Sequence, residues 1–112
     1  MIFIESRVFT RRLQELAGKE FDAVLREIQN ELLQVPEKGD VVRGLAGIRK
    51  ARAALPSRGK GKRGGLRYFY FYMEFKQHIH LLFVLSKSEQ GDLTVDQKEF
   101  LRKLADAIQR TN

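Results

Sequence analysis

Apolar positions recur along this chain in two rhythms, and the change of rhythm divides it. Phe9, Leu13, Leu16 and Ala17 recur at helical spacing up to Gly18. Phe21, Val24, Leu25, Ile28, Leu32 and Leu33 form a second stripe that ends at Pro36 and Gly39. Together the stripes predict a helical hairpin with one buried face. Ahead of them, Met1–Glu5 is β-rich and predicts a strand, with Ser6 placed to cap the first helix. Past residue 40 the spacing shortens. Val41–Val42 and Ile48–Leu55 carry weak strand signals, Leu66–Phe75 is dense in Tyr and Phe, and Ile79–Leu85 is dense in Leu, Val and Phe. The last two predict strands joined as a hairpin through Glu74–His78, and their nearly continuous apolar character predicts central strands covered on both faces. Gly91-Asp92 marks a turn. Thr94-Val95-Asp96-Gln97 is a capping-box pattern that opens a helix with Phe100, Leu101, Leu104, Ala105 and Ile108 on its apolar face. The order β-α-α-β-β-β-α predicts an α+β fold: a mostly antiparallel four-stranded sheet with an N-terminal helical hairpin and a C-terminal helix.

At 112 residues the chain predicts one domain, residues 1–112, with a single modest core. No cysteine is present, which excludes disulfides and thiolate metal sites and fits a reducing cytoplasm. No apolar run approaches a membrane span and the N-terminus lacks a signal-peptide pattern, so no membrane association and a cytoplasmic location are expected.

Charge changes the picture most. Residues 41–73 contain nine Lys/Arg and no Asp or Glu, while the rest of the chain carries 12 basic and 14 acidic residues. The whole net charge of +7 therefore comes from one stretch. At its centre lies Pro56-Ser57-Arg58-Gly59-Lys60-Gly61-Lys62-Arg63-Gly64-Gly65, with no apolar residue and four glycines, which predicts a loop. Concentrated positive charge next to aromatic strands suits a polyanion, above all single-stranded nucleic acid, held by charge and stacking. The loop is not a phosphate-binding Walker loop, because GxxxxGK[ST] is absent.

Within this region Arg67 differs from its neighbours. It begins a strand, so its guanidinium is held on a rigid element and suits bidentate contact with a phosphate. Lys60, Lys62 and Lys87 are candidate proton-transfer groups, because neighbouring positive charge lowers a lysine pKa. Simple phosphate contact is an equal reading for each. His78 and His80 lie two apart on one strand face, but with no third ligand they make a weak metal signal. A surface position at the hairpin is expected for His78 and partial burial for His80. No paired carboxylates and no Ser-His-Asp or Cys-His arrangement is visible. A basic site of this kind suits RNA, whose own 2′-OH is the nucleophile, with no cofactor and no metal required.

Several segments resemble the RelE/HigB toxins of bacterial type II toxin–antitoxin modules, in the HigB-like branch of the RelE/ParE superfamily. They are FIES at 3–6, PEKGDVVRGLAGIRKAR at 36–52, GKGKRGGLRYFYFY at 59–72, LLFVLSKSEQGDLT at 81–94, and the closing helix. The resemblance implies a microbial-ribonuclease-like fold and an mRNA interferase that cuts mRNA in the ribosomal A site by 2′-OH attack without metal. It also implies silencing by a cognate antitoxin, usually carrying a helix-turn-helix domain. Arg67 falls on the family's phosphate-stabilising arginine, Lys60 and Lys62 in its lysine-bearing loop, and Lys87 on the basic position that ends the following strand. Arg49, Lys50, Arg52, Arg58 and Arg63 are then expected to contact ribosomal RNA and message. Departures occur at Ser88 and Thr94, where the best-studied RelE toxins have an arginine and a tyrosine. Ala53 and Leu55 stand where some relatives have lysines. The alternatives are a non-catalytic RNA-binding module using the same loop and aromatics, and a ParE-like toxin directed at DNA gyrase.

Overall fold

The structure, a computed structural model, describes residues 1–56 and 65–111. Its elements run β1 (Ile2–Glu5), α1 (Arg7–Ala17), α2 (Phe21–Gln34), β2 (Asp40–Val41), β3 (Arg49–Ala53), β4 (Leu66–Met73), β5 (His78–Ser86) and α3 (Val95–Arg110). The five strands form one sheet in the order β1-β5-β4-β3-β2. Three of its four pairings are antiparallel, and β1 runs parallel to β5. The expected α+β architecture is present with one correction. The sheet has five strands, because Asp40–Val41 adds a two-residue edge strand on β3. So short a ladder leaves almost no periodic signal in the sequence.

The caps form where the sequence places them. Ser6 accepts a hydrogen bond from the Phe9 N–H at 3.0 Å and donates its own hydroxyl to the Leu82 carbonyl at 2.8 Å. Thr94 and Gln97 complete the capping box of α3. Phe9, Leu13 and Ala17 of α1 and Val24, Ile28 and Leu32 of α2 make the buried stripe of the hairpin. That stripe packs on the sheet face carrying Tyr68, Tyr70, Ile79, Leu81 and Val84. The opposite face, with Phe69, Phe83 and Leu85, lies under Leu101 and Ala105 of α3. Strands β4 and β5 are therefore covered on both sides, as their apolar runs predict. The hairpin joining them is tight, a turn of 3₁₀ helix over Glu74–Lys76 followed by Gln77 in the left-handed region.

Pairing of β1 with β5 stops at Leu81, which leaves the second half of β5 with an open edge. Side chains from the start of α1 close it. Ser6 takes the Leu82 carbonyl, and Arg12 donates Nε to the Val84 carbonyl while its guanidinium sits 4.8 Å from the centre of the Phe83 ring. No helix among the described residues is long and apolar enough to cross a membrane.

Gly65 fixes where β4 begins. A Cβ there would lie 2.3 Å from the Ala53 carbonyl oxygen and 3.0 Å from the Leu55 nitrogen, so the end of β3 and the start of β4 approach as closely as only glycine allows. Gly65→Ala is expected to destabilise the chain by about 1–3 kcal/mol, as overpacking against backbone does. Gly91→Ala, where an added Cβ meets nothing within 4 Å, is expected to stay within about 0.5 kcal/mol of the parent. Urea unfolding of the two variants side by side checks the pair.

Candidate functional site

Side chains alternate along a strand, so the basic residues of β3 divide between the two faces of the sheet. Lys50 and Arg52 point one way, opposite Phe69 and Arg67 of β4. Arg67 in turn pairs with Leu85 of β5, and Lys87, in the turn just past the end of that strand, lies near enough for the charges of Arg67, Arg52 and Lys50 to act on it. Lys50, Arg52 and Arg67 thus gather from two adjacent strands onto one end of one face, with Lys87 beside them. Arg52 and Arg67 are direct cross-strand partners, an arrangement of like charges that weakens a sheet unless something else uses it. None of the four makes an ion pair with a carboxylate among the described residues.

The mutual repulsion is visible at Lys87. Its pKa is held below the ordinary lysine value, chiefly by the positive charge of Arg67, then by partial desolvation, with Arg52 and Lys50 contributing further. Like charge disfavours the protonated amine. Lys87 sits in the turn after β5, where the Glu89 and Gln90 N–H groups both donate to the Ser86 carbonyl at 3.1 Å and the Ser86 and Ser88 hydroxyls are 2.8 Å apart. The turn fixes the backbone at Lys87, and its amine pairs with no carboxylate among the described residues.

A cavity of about 390 Å³ opens beside this cluster, lined by Lys38, Gly39, Asp40, Lys50, Ala51, Arg52 and Arg67. Its far wall is the 36–40 segment, and a clamp of hydrogen bonds holds that wall in place. The buried Tyr70 hydroxyl accepts from the Gly39 N–H at 2.9 Å and donates to the Pro36 carbonyl at 2.8 Å. Arg49 donates to the Gly39 carbonyl at 2.7 Å and pairs with Glu37 at 3.1 Å. Lys38 pairs with Glu31 of α2. Gly39 has no room for a side chain, since a Cβ would meet the Lys50 carbonyl oxygen at 2.7 Å and the Tyr70 ring at 2.9 Å.

Measured against the expected site, the structure brings together Arg67, Lys87, Lys50 and Arg52. It places Arg49 on the opposite face, opposite Tyr70 and engaged in the clamp. Lys60, Lys62, Arg58 and Arg63 lie outside the described residues. The centre of the aromatic strand is core: Tyr68, Phe69 and Tyr70 are at most 1% exposed and offer no platform for stacked bases, whereas Phe71 and Tyr72 farther along are half-buried. Burial raises the pKa of Tyr68 and Tyr70 and keeps both phenols protonated. His78 and His80 are both partly exposed, and desolvation, then the neighbouring His78, lowers the His80 pKa. The structure adds to the groove Gly39, which the sequence marked only as the end of a helical stripe, and Asp40 and Tyr70, which it did not single out. The signal for the first two was a glycine-aspartate pair directly after Pro36-Glu37-Lys38. For Tyr70 there was none, because its hydroxyl's partners lie more than 30 positions away.

No protein-family model matches the chain. Solved structures do. The isolated E. coli RelE toxin superposes over 92% of this chain and 97% of its own, with a TM-score of 0.54 at 16% identity. A double arginine-to-alanine variant of that toxin in the free state matches over 80% of this chain and 86% of its own, with a TM-score of 0.56 at 15% identity. A chain of the intact E. coli RelBE toxin–antitoxin complex matches over 76% of this chain and 94% of its own, with a TM-score of 0.55 at 16% identity.

Two outcomes test this geometry. Tyr70→Phe removes the two hydrogen bonds that the phenol gives the clamp and is expected to cost about 1–3 kcal/mol in urea unfolding, because two backbone groups lose their partner. Arg67→Gln removes the largest charge acting on Lys87. The Lys87 amine is then expected to titrate at higher pH than in the parent, approaching the ordinary lysine value, as followed by NMR of its side chain. An unchanged titration contradicts the arrangement. Common to all of these observations is a basic groove at one end of a mixed sheet, built on a RelE-like fold.

Proposed function

We propose that the chain is the toxin of a type II toxin–antitoxin module, of the HigB-like branch of RelE toxins. In this reading it is a metal-independent endoribonuclease that cuts mRNA in the ribosomal A site and so stops translation. The observation that carries the reading is the gathering of Lys50, Arg52 and Arg67 on strands with Lys87 in the adjoining turn, without a carboxylate partner among the described residues, in a fold shared with RelE. Unpaired cations held against their own repulsion are pre-organised for an anion, and a scissile phosphodiester supplies one.

The chemistry needs little else. The 2′-oxygen forms a bond to the adjacent phosphorus as its proton leaves. The phosphorus–5′-oxygen bond then breaks as the departing oxygen gains a proton, leaving a cyclic 2′,3′-phosphate and a 5′-hydroxyl. Arg67 offers paired N–H donors to the non-bridging oxygens, where negative charge builds. Lys87, its amine biased toward the neutral form by Arg67, takes the 2′ proton, and Lys60 and Lys62 supply the remaining proton-transfer capacity. Lys50, Arg52, Arg58 and Arg63 hold the backbone of message and ribosomal RNA. Arg49 supports the groove wall from the other face. Burial of Tyr68, Phe69 and Tyr70, the aromatics that follow Arg67 in β4, favours this reading over a binding module that works by base stacking.

The partner implied is a cognate antitoxin, as the RelBE toxin–antitoxin complex has one, and on the HigB-like reading that antitoxin carries a helix-turn-helix domain. Ribosome and mRNA are the targets, which places the protein in the cytoplasm. Arg67→Ala is expected to fold, since its side chain makes no ion pair with a described carboxylate. It should lower mRNA cleavage on translating ribosomes by about 10²–10³, the usual cost of losing one donor to a developing oxyanion. Cleavage at the parental rate overturns the assignment.

A further inference from the structure

Among the described residues lining the basic groove, Asp40 is the single carboxylate. It stands directly across the strand from Lys50, yet makes no ion pair with Lys50 or any other described cation. Lys38 beside it is committed to Glu31. Its carboxylate accepts no hydrogen bond from any described residue. The residue is not loosely placed. The clamp on Gly39 and the ladder to Lys50 fix its backbone on both sides.

A negative charge in an anion groove lowers the affinity for every phosphate that enters. Were Asp40 there to relieve the crowding of cations, it would lie within ion-pair distance of one of them. It is instead an unused acceptor with up to four lone-pair sites, facing a space where phosphates are expected. RNA brings hydrogen-bond donors beside its phosphates: the 2′-hydroxyl, and the exocyclic amines of cytosine, adenine and guanine. Uracil has no such amine, and DNA has no 2′-hydroxyl.

We propose that Asp40 is a specificity residue that accepts a hydrogen bond from a donor group of RNA, a 2′-hydroxyl or a base exocyclic amine, lying beside the phosphate gripped by Arg67. The inference rests on the reading that the groove holds RNA.

The test compares the parent with Asp40→Ala in binding to three short single strands at one salt concentration: a cytidine-rich RNA, the DNA of the same sequence, and a uridine-only RNA. The free chain is used without ribosomes. The parent is expected to prefer the cytidine-rich RNA about tenfold over one of its two counterparts, the magnitude of one good hydrogen-bond pair. Preference over DNA identifies the 2′-hydroxyl as the donor, and preference over uridine identifies the amine. In Asp40→Ala that ratio falls toward one, and Asp40→Asn, which keeps an acceptor oxygen, retains part of it. If Asp40→Ala tightens binding to all three strands by a common factor, the residue acts only through its charge and the inference is overturned. Parental binding with no preference among the strands, or no binding of any strand, overturns it, while the reading beneath it is decided separately by cleavage on translating ribosomes.

Discussion

The cross-strand pairing of Arg52 with Arg67 is the constraint from which the rest of the site follows. Two guanidiniums directly opposite each other oppose the sheet that holds them. They stay because β4 has no alternative register. Tyr68 and Tyr70 are buried against the helical hairpin, Phe69 against α3, and a shift of one residue would exchange the two sets of side chains. Gly65 adds a second lock, since the strand cannot start elsewhere without meeting the Ala53 carbonyl. The energy of the core is thus used to hold positive charges at one end of the sheet, and the same charges hold down the pKa of Lys87.

The groove wall is built by different physics. Where the floor relies on apolar burial, the 36–40 segment relies on a buried phenol and an arginine that between them engage Pro36, Glu37 and Gly39. One basic stretch of sequence therefore performs two tasks on two faces. Arg49 fixes the wall, and Lys50 and Arg52 line the space within it. A phosphate entering that space would offset repulsion that the free protein bears.

Much of this was legible in the sequence where the signal is local. Ser6, Thr94 and Gln97 announced their caps, Pro36 closed the helical hairpin, and the unbroken apolar runs of β4 and β5 announced their central place. The special position of Arg67 followed from its place at the start of a strand. What stayed hidden depends on contacts between distant residues. The parallel pairing of β1 with β5 joins residues more than 70 positions apart, and β2 is too short to show a period. Tyr and Phe next to a basic loop suggested stacking with bases, but composition does not say which side of a strand faces solvent, and here Tyr68, Phe69 and Tyr70 are covered on both. The separation of Arg49 from Lys50 and Arg52 was available from simple alternation along β3. Its role in a clamp was not, because that depends on the hydroxyl of Tyr70.

The central claim is that this groove aligns messenger RNA on the ribosome for attack by its own 2′-hydroxyl. Mapping of new 5′ ends on mRNA incubated with the purified chain, with and without translating ribosomes, tests it most directly. The account predicts cuts within the A-site codon, only when ribosomes are present, with 5′-hydroxyl ends. Message left intact on translating ribosomes, or cut equally without them, contradicts it.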